Sequence, residues 1–226
     1  MKRSSLISYI FLLISTIGFA QLEEVKEVPD YNAIKTEIEK KNSDSYYPKL
    51  LSRFREYDNT LTLKDYRNLY YGYVLQKNFD PYYVNPNEEK LQKYYSSDEL
   101  NQKDYESFIR LANASLKENP FDLRILNFLA YVYHLKGDDD MAKKISNNFQ
   151  NILQTIFATG DGLQCETAFH VISVSHEYVL LNMLQLERDS QSLIGDCDYL
   201  AFEKGKYGVD GLYFNISKLY GNKIPK

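Results

Sequence analysis

The sequence has no tryptophan, two cysteines and three histidines. Beyond its first twenty residues it also lacks any apolar run long enough to span a membrane. The missing tryptophan weakens, without excluding, a sugar-stacking surface. Two cysteines have one simple use in an oxidising compartment, a single disulfide. No glycine-rich phosphate loop is present, and neither is a Gly-x-Ser-x-Gly or a His-Glu-x-x-His signature. Residues 138–140 are all aspartate but lack the alternating oxygens and central glycine of a Ca²⁺ loop. The chain is mildly acidic, with 27 basic and 31 acidic residues evenly spread. That balance argues against nucleic acid or an anionic membrane as the main partner.

Residues 1–20 read as a signal peptide. Lys2 and Arg3 form a basic start, residues 6–17 are apolar but short for a span, and Gly18, Phe19 and Ala20 form a small-x-small cleavage site. The alternative is an uncleaved anchor. No cysteine follows the apolar run, so no lipid anchor is expected there, and no membrane anchor is expected after cleavage. The remaining chain, about 200 residues, suffices for one domain with a sizeable core or for two small ones. Residues 21–30 are polar and read as a mobile lead-in.

The centre of the chain carries the clearest pattern. Residues 105–117, 123–136 and 138–158 are three helical runs, separated by a turn at Pro120 and another at Gly137. Ile125, Leu126, Leu129, Ala130 and Tyr133 recur at helical spacing, as do Ala142, Ile145, Phe149, Ile152, Leu153 and Ile156. Asp122 stands at an N-cap position. Ala130, Tyr133, Gly137 and Ala142 have the spacing of a tetratricopeptide (TPR) repeat, which needs small residues where two helices approach closely. The match is partial, because Leu126 stands where the motif prefers tryptophan and no proline closes the unit near Gln154. The alternative is an ordinary helical hairpin.

Earlier in the chain, Asp30 is placed to cap a helix through about Lys41. Residues 47–54 start a second helix, and Thr62 with Asp65 forms a capping-box pair before a third. Residues 100–105 repeat the pattern of residues 61–66, a weak internal repetition. After Gly160 the character changes. Residues 167–175 are β-rich, residues 177–184 are helical in pattern, and residues 191–194, 199–203 and 211–217 read as short strands. The last two are expected to form a hairpin across the turn at residues 205–208. The fold class expected is α+β, mainly α. TPR-like helical hairpins occupy residues 31–160, and a small mixed α/β cap occupies residues 161–226, either separate from the helices or continuous with them.

Five stretches resemble a secreted bacterial family, the domain of unknown function DUF4919. They are residues 60–76 (TLTLKDYRNLYYGYVLQ), 119–137 (NPFDLRILNFLAYVYHLKG), 166–178 (ETAFHVISVSHEY), 191–200 (QSLIGDCDYL) and 211–218 (GLYFNISK). The resemblance implies a secreted single-unit protein. It implies no reaction.

The densest polar cluster comprises Asp161, Cys165, Glu166, His170, His176 and Glu177, the candidates for any catalysis. Two histidines with carboxylates nearby suit Zn²⁺. However, His170 and His176 share a face only on a strand and are nearly opposite on a helix, so no metal and no cofactor are expected. Cys165 with a histidine would make a nucleophile pair, but pairing of Cys165 with Cys197 is the simpler expectation. Asp196 and Asp198 are candidate glycosidase carboxylates. The stretch 46–95 holds four Tyr-Tyr pairs. Of these, Tyr70, Tyr71, Tyr82 and Tyr83 are candidate contact residues, since tyrosine joins apolar area to a polar tip; core packing is the alternative.

Two functions follow as expectations. The first is a non-enzymatic scaffold or binding module of the cell envelope, periplasmic or secreted, with a protein or peptide partner. The second is an envelope hydrolase or metal-dependent enzyme with a site around His170 and His176. Cleavage after Ala20 makes Gln21 the first residue of the exported protein, which N-terminal sequencing of the envelope fraction checks.

Overall fold

The computed structural model describes residues 26–97 and 100–220. The expected signal peptide and its cleavage site lie outside the described residues. Eight α-helices and a four-stranded sheet are present among those described: α1 (Tyr31–Ile38), α2 (Tyr47–Arg55), α3 (Leu63–Tyr73), α4 (Glu88–Tyr95), α5 (Tyr105–Glu118), α6 (Leu123–Leu135), α7 (Asp139–Phe157), β1 (Phe169–His170), α8 (Val174–Met183), β2 (Arg188–Ile194), β3 (Cys197–Phe202) and β4 (Gly211–Asn215). The class is α+β, mainly α. No helix among the described residues is long and apolar enough to cross a membrane.

Most helix starts follow from side-chain caps. Asp30 accepts from the backbone N–H groups of Asn32 and Ala33, both at 3.0 Å. Thr62 and Asp65 complete a reciprocal capping box. Asp122 accepts from Ile125 at 3.0 Å. Residues 100–105 do not repeat the box. Asn101 makes no side-chain cap, and a 3-10 turn over Gln102–Asp104 leads into α5 instead. At the end of α6 the chain turns through Gly137, whose φ of +85° suits a residue without Cβ.

The chain forms two compact units. Among the described residues, one contains those of 84–146, and the other contains residues 26–83 together with 147–220. The C-terminal strands therefore share a unit with α1–α3 and do not form a cap by themselves. In the first unit, Tyr94, Tyr95, Phe108 and Phe128 make edge-to-face contacts, with ring centroids 4.9–6.3 Å apart. Ala130 and Ala142 are both buried, as a helical hairpin of either kind requires.

In the second unit α3 is the central element. Tyr66, Leu69, Tyr70 and Tyr71 are fully buried on it. Gly72 lets α1 and α2 approach closely, since a Cβ there would stand 2.9 Å from Ile38 Cδ1 and 3.2 Å from Tyr47 Cε2. The tyrosine hydroxyls find deep partners. Tyr66 donates to Asn148 Oδ1 at 2.7 Å, and Asn148 in turn donates to the Phe54 carbonyl at 2.8 Å. Tyr71 donates to the His170 carbonyl at 3.1 Å. α3 is thereby fixed to α2, α7 and β1.

The sheet order is β1-β4-β3-β2, with β1 parallel to β4 and the other pairs antiparallel. The expected hairpin forms between β3 and β4. The β-rich run at residues 167–175 shortens to a two-residue strand, because the Ser173 hydroxyl accepts from Ser175 N and starts α8. Cys165 and Cys197 form a disulfide with Cα atoms 5.8 Å apart, tying the 3-10 turn Cys165–Thr167 to the start of β3.

The lead-in was expected to be mobile through residue 30. Residues 26–30, its described part, make specific contacts. Glu27 N–H bonds the Ala158 carbonyl at 2.8 Å, Arg67 donates to the carbonyls of Glu27 and Val28, and Lys26 pairs with Asp161 at 2.7 Å. These contacts satisfy backbone groups that a free segment would leave to water.

The disulfide closes a loop of 32 positions. Reduction is expected to lower stability by about 3–4 kcal/mol on the loop-entropy estimate, read as a fall in denaturation midpoint with reductant.

Candidate functional site

The predicted polar cluster does not converge. Asp161 is exposed and bonded to Lys26 and to Thr167, with its carboxyl held at about 2; burial, acting the other way, is outweighed by those donors. Glu166 is exposed on the 3-10 turn. Cys165 is committed to Cys197. His170 is half-buried on β1, and burial, with the Arg67 charge second, lowers its pKa to about 4. It is therefore neutral at pH 7. His176 is buried on α8, with Nδ1 2.7 Å from the Tyr70 hydroxyl. Among the described residues, no group of three or more His, Cys, Asp or Glu side chains could hold a metal ion.

Nor do the four tyrosines form one surface. Tyr70 and Tyr71 are fully buried core residues, because α3 is covered on several sides and their hydroxyls have internal partners. They cannot serve as contact groups. Tyr83 is half-buried in a turn pinned by Asp80. Tyr82 is 69% exposed and is the one true surface ring of the four.

A different constellation lies around Glu177. The first turns of α8 place His176 and Glu177 side by side, both excluded from solvent. Tyr70 connects them to α3, since its hydroxyl meets His176 and accepts from the Ile172 N–H at 3.3 Å. Neither carboxyl oxygen of Glu177 has a hydrogen bond of good geometry. Burial pushes its pKa up to about 9, helped by the nearby Asp198 carboxylate. Asp198 is 5% exposed on β3. It accepts from the Gln191 side-chain amide on β2. Gln191 Oε1 in turn accepts from the Tyr178 hydroxyl at 3.0 Å, and the Arg188 guanidinium lies over the Tyr178 ring, 5.2 Å from its centroid. Tyr220 is close enough to Asp198, Tyr82 and Glu177 for their charges to raise its pKa, after burial.

Sequence reasoning named Glu177 but missed its partner. Asp198 was weighed only against Asp196, which is exposed. A signal existed. Asp198 has the same strand parity as Leu200 and Phe202, both buried, so it had to face inward. Nothing local marked Gln191, Tyr178 or Tyr220.

These features define a mainly helical α+β protein with a tyrosine-bolted helical core and a buried carboxyl pair beneath a short mixed sheet. The sequence profile of DUF4919, a domain of unknown function, matches residues 32–224, and the chain belongs to that family. No curated protein and no solved structure matches it.

Tyr70→Phe takes away the hydroxyl that His176 Nδ1 and the Ile172 N–H share in a buried site. The expected cost is about 1–3 kcal/mol, measured by denaturant unfolding, with helical content preserved.

Proposed function

We propose that the protein is an exported, non-enzymatic protein- or peptide-binding module of the cell envelope, and that its partner is an extended peptide segment that adds a strand to β2. The observation that carries this reading is the edge. β2 is the last strand of the sheet, and all seven of its residues are exposed. Proteins usually blunt such an edge with Lys, Pro or a covering loop. Here Arg188, Asp189 and a register shift between Arg188 and Ser190 blunt one end, while residues 190–194 carry no charge and no proline. Leu193 and Ile194 are 52% and 43% exposed on opposite faces of the strand. Strand addition gains affinity from main-chain hydrogen bonds and specificity from alternate side chains. The disulfide at the adjoining turn stiffens the edge before any partner arrives.

The competing reading, an envelope hydrolase or metal-dependent enzyme around His170 and His176, draws support from one observation, the raised pKa of Glu177 next to His176. The binding reading is favoured because that carboxyl is sealed from solvent, whereas the β2 edge is open.

A photo-crosslinking residue at position 192 is expected to trap a partner in intact cells, and one at the exposed Lys144 is not. Leu193→Lys with Ile194→Lys should leave the fold intact and weaken capture by about 2 kcal/mol or more. Equal crosslinking at both positions, or capture unaffected by the charged edge, would sink the reading. So would loss of a cellular phenotype in a His176 variant that keeps capture.

A further inference from the structure

We infer that Glu177 and Asp198 form a proton-binding site, holding one proton between them, and that this proton locks the edge strand β2 onto β3 and α8. The inference does not depend on what β2 binds.

Burial and hydrogen-bond polarity carry the argument. Glu177 is 0% and Asp198 5% exposed, and among the described residues neither takes part in an ion pair. The groups facing them come from every element packed around the pair. α3 supplies the Tyr70 hydroxyl, and α8 supplies His176 and Tyr178. β2 supplies Gln191, with the exposed Arg188 guanidinium turned onto the Tyr178 ring and 3.4 Å from Gln191 Oε1. The C-terminal segment supplies Tyr220, with Tyr82 beyond it. His176 Nδ1 is engaged by Tyr70. Two adjacent carboxylates in so dry a place would repel one another without compensation, so one of them keeps its proton.

The hydrogen bonds decide which one. Gln191 uses its carbonyl oxygen to accept from Tyr178, which turns its amide N–H toward Asp198. Asp198 thus has a donor of its own. Glu177 receives no donor at either oxygen, so its ionised form would have nothing to replace water. Glu177 therefore carries the proton. The interactions then close a ring, from the protonated Glu177 carboxyl on α8 to Asp198 on β3, whose carboxyl it faces, to Gln191 on β2, and back to Tyr178 on α8. Beyond its ladder with β3, β2 is held through this ring.

The ring has a pH limit. A carboxyl whose folded pKa lies above its unfolded value adds stability that is complete below the unfolded pKa and disappears as pH rises through the folded one. For Glu177 that window runs from the ordinary carboxyl range to about 9. Across it the thermal midpoint of the wild type should fall, and β2 amide protection, corrected for intrinsic exchange, should fall with it.

The test uses the full chain. Infrared titration should show a protonated carboxyl at pH 7 that titrates near pH 9 and is missing in Glu177→Gln. That variant keeps a neutral group in place, so its thermal midpoint should lose the slope between pH 5 and pH 9. Asp198→Asn removes the like charge, so the Glu177 midpoint should move down by about one unit or more. Absence of the protonated band at pH 7, or equal slopes in wild type and Glu177→Gln, would overturn the site. If Glu177→Gln does not fold, an unmoved midpoint in Asp198→Asn would overturn the sharing of the proton. None of these readouts involves a partner, so failure here is distinct from failure of the binding reading.

Discussion

The second unit depends on tyrosine side chains that are buried along their rings and bonded at their tips. α3 sends Tyr66, Tyr70 and Tyr71 into one core, where each hydroxyl must find a partner or incur the cost of dehydration. Tyr66 reaches Asn148, Tyr70 reaches His176, and Tyr71 reaches the His170 carbonyl. A phenylalanine at any of these positions would fill a similar volume but would fix no direction. Because each hydroxyl bond fails when its element shifts by an ångström or two, the polar tips set how α2, α7, β1 and α8 stand around α3. The site around Glu177 exists only because Tyr70 and His176 hold the start of α8 against that core.

The strands respond to a different constraint. A four-stranded sheet this short has two edges and little area with which to bury them. One edge is β1, two residues long and paired in parallel with β4. The other is β2, which is exposed along its whole length. The disulfide and the Gln191–Asp198 contact reinforce β2 from its inner side, and the outer side is left open. Residues 190–194 of that edge carry no charge, so the blunting that charged side chains give an edge is confined to Arg188 and Asp189.

Much of the helical framework was legible locally. Asp30, Thr62 and Asp122 announced their helices because a cap is an interaction between residues two or three apart. The Tyr pairs were legible as residues but not as roles. Tyr70 and Tyr82 look alike in sequence, yet one is fully buried and the other 69% exposed, because burial depends on what α1, α2, α7 and α8 cover. The histidines misled for the same reason. Their proximity in sequence suggested a shared site, whereas one lies on β1 and the other on α8 with its ring toward Tyr70.

By itself the sequence determined the α+β class, the helix starts at Asp30, Thr62 and Asp122, and the β3–β4 hairpin, which rest on spacing and caps within short windows, and it carried the family resemblance in its quoted stretches. Tertiary structure alone decided that residues 26–83 and 147–220 share a unit, and that Glu177 meets Asp198 while Asp196 stays outside. The reason is separation along the chain. Glu177 and Asp198 stand on a helix and on the second strand after it, and no local pattern encodes the packing that presses one carboxyl against the other and removes the water from both.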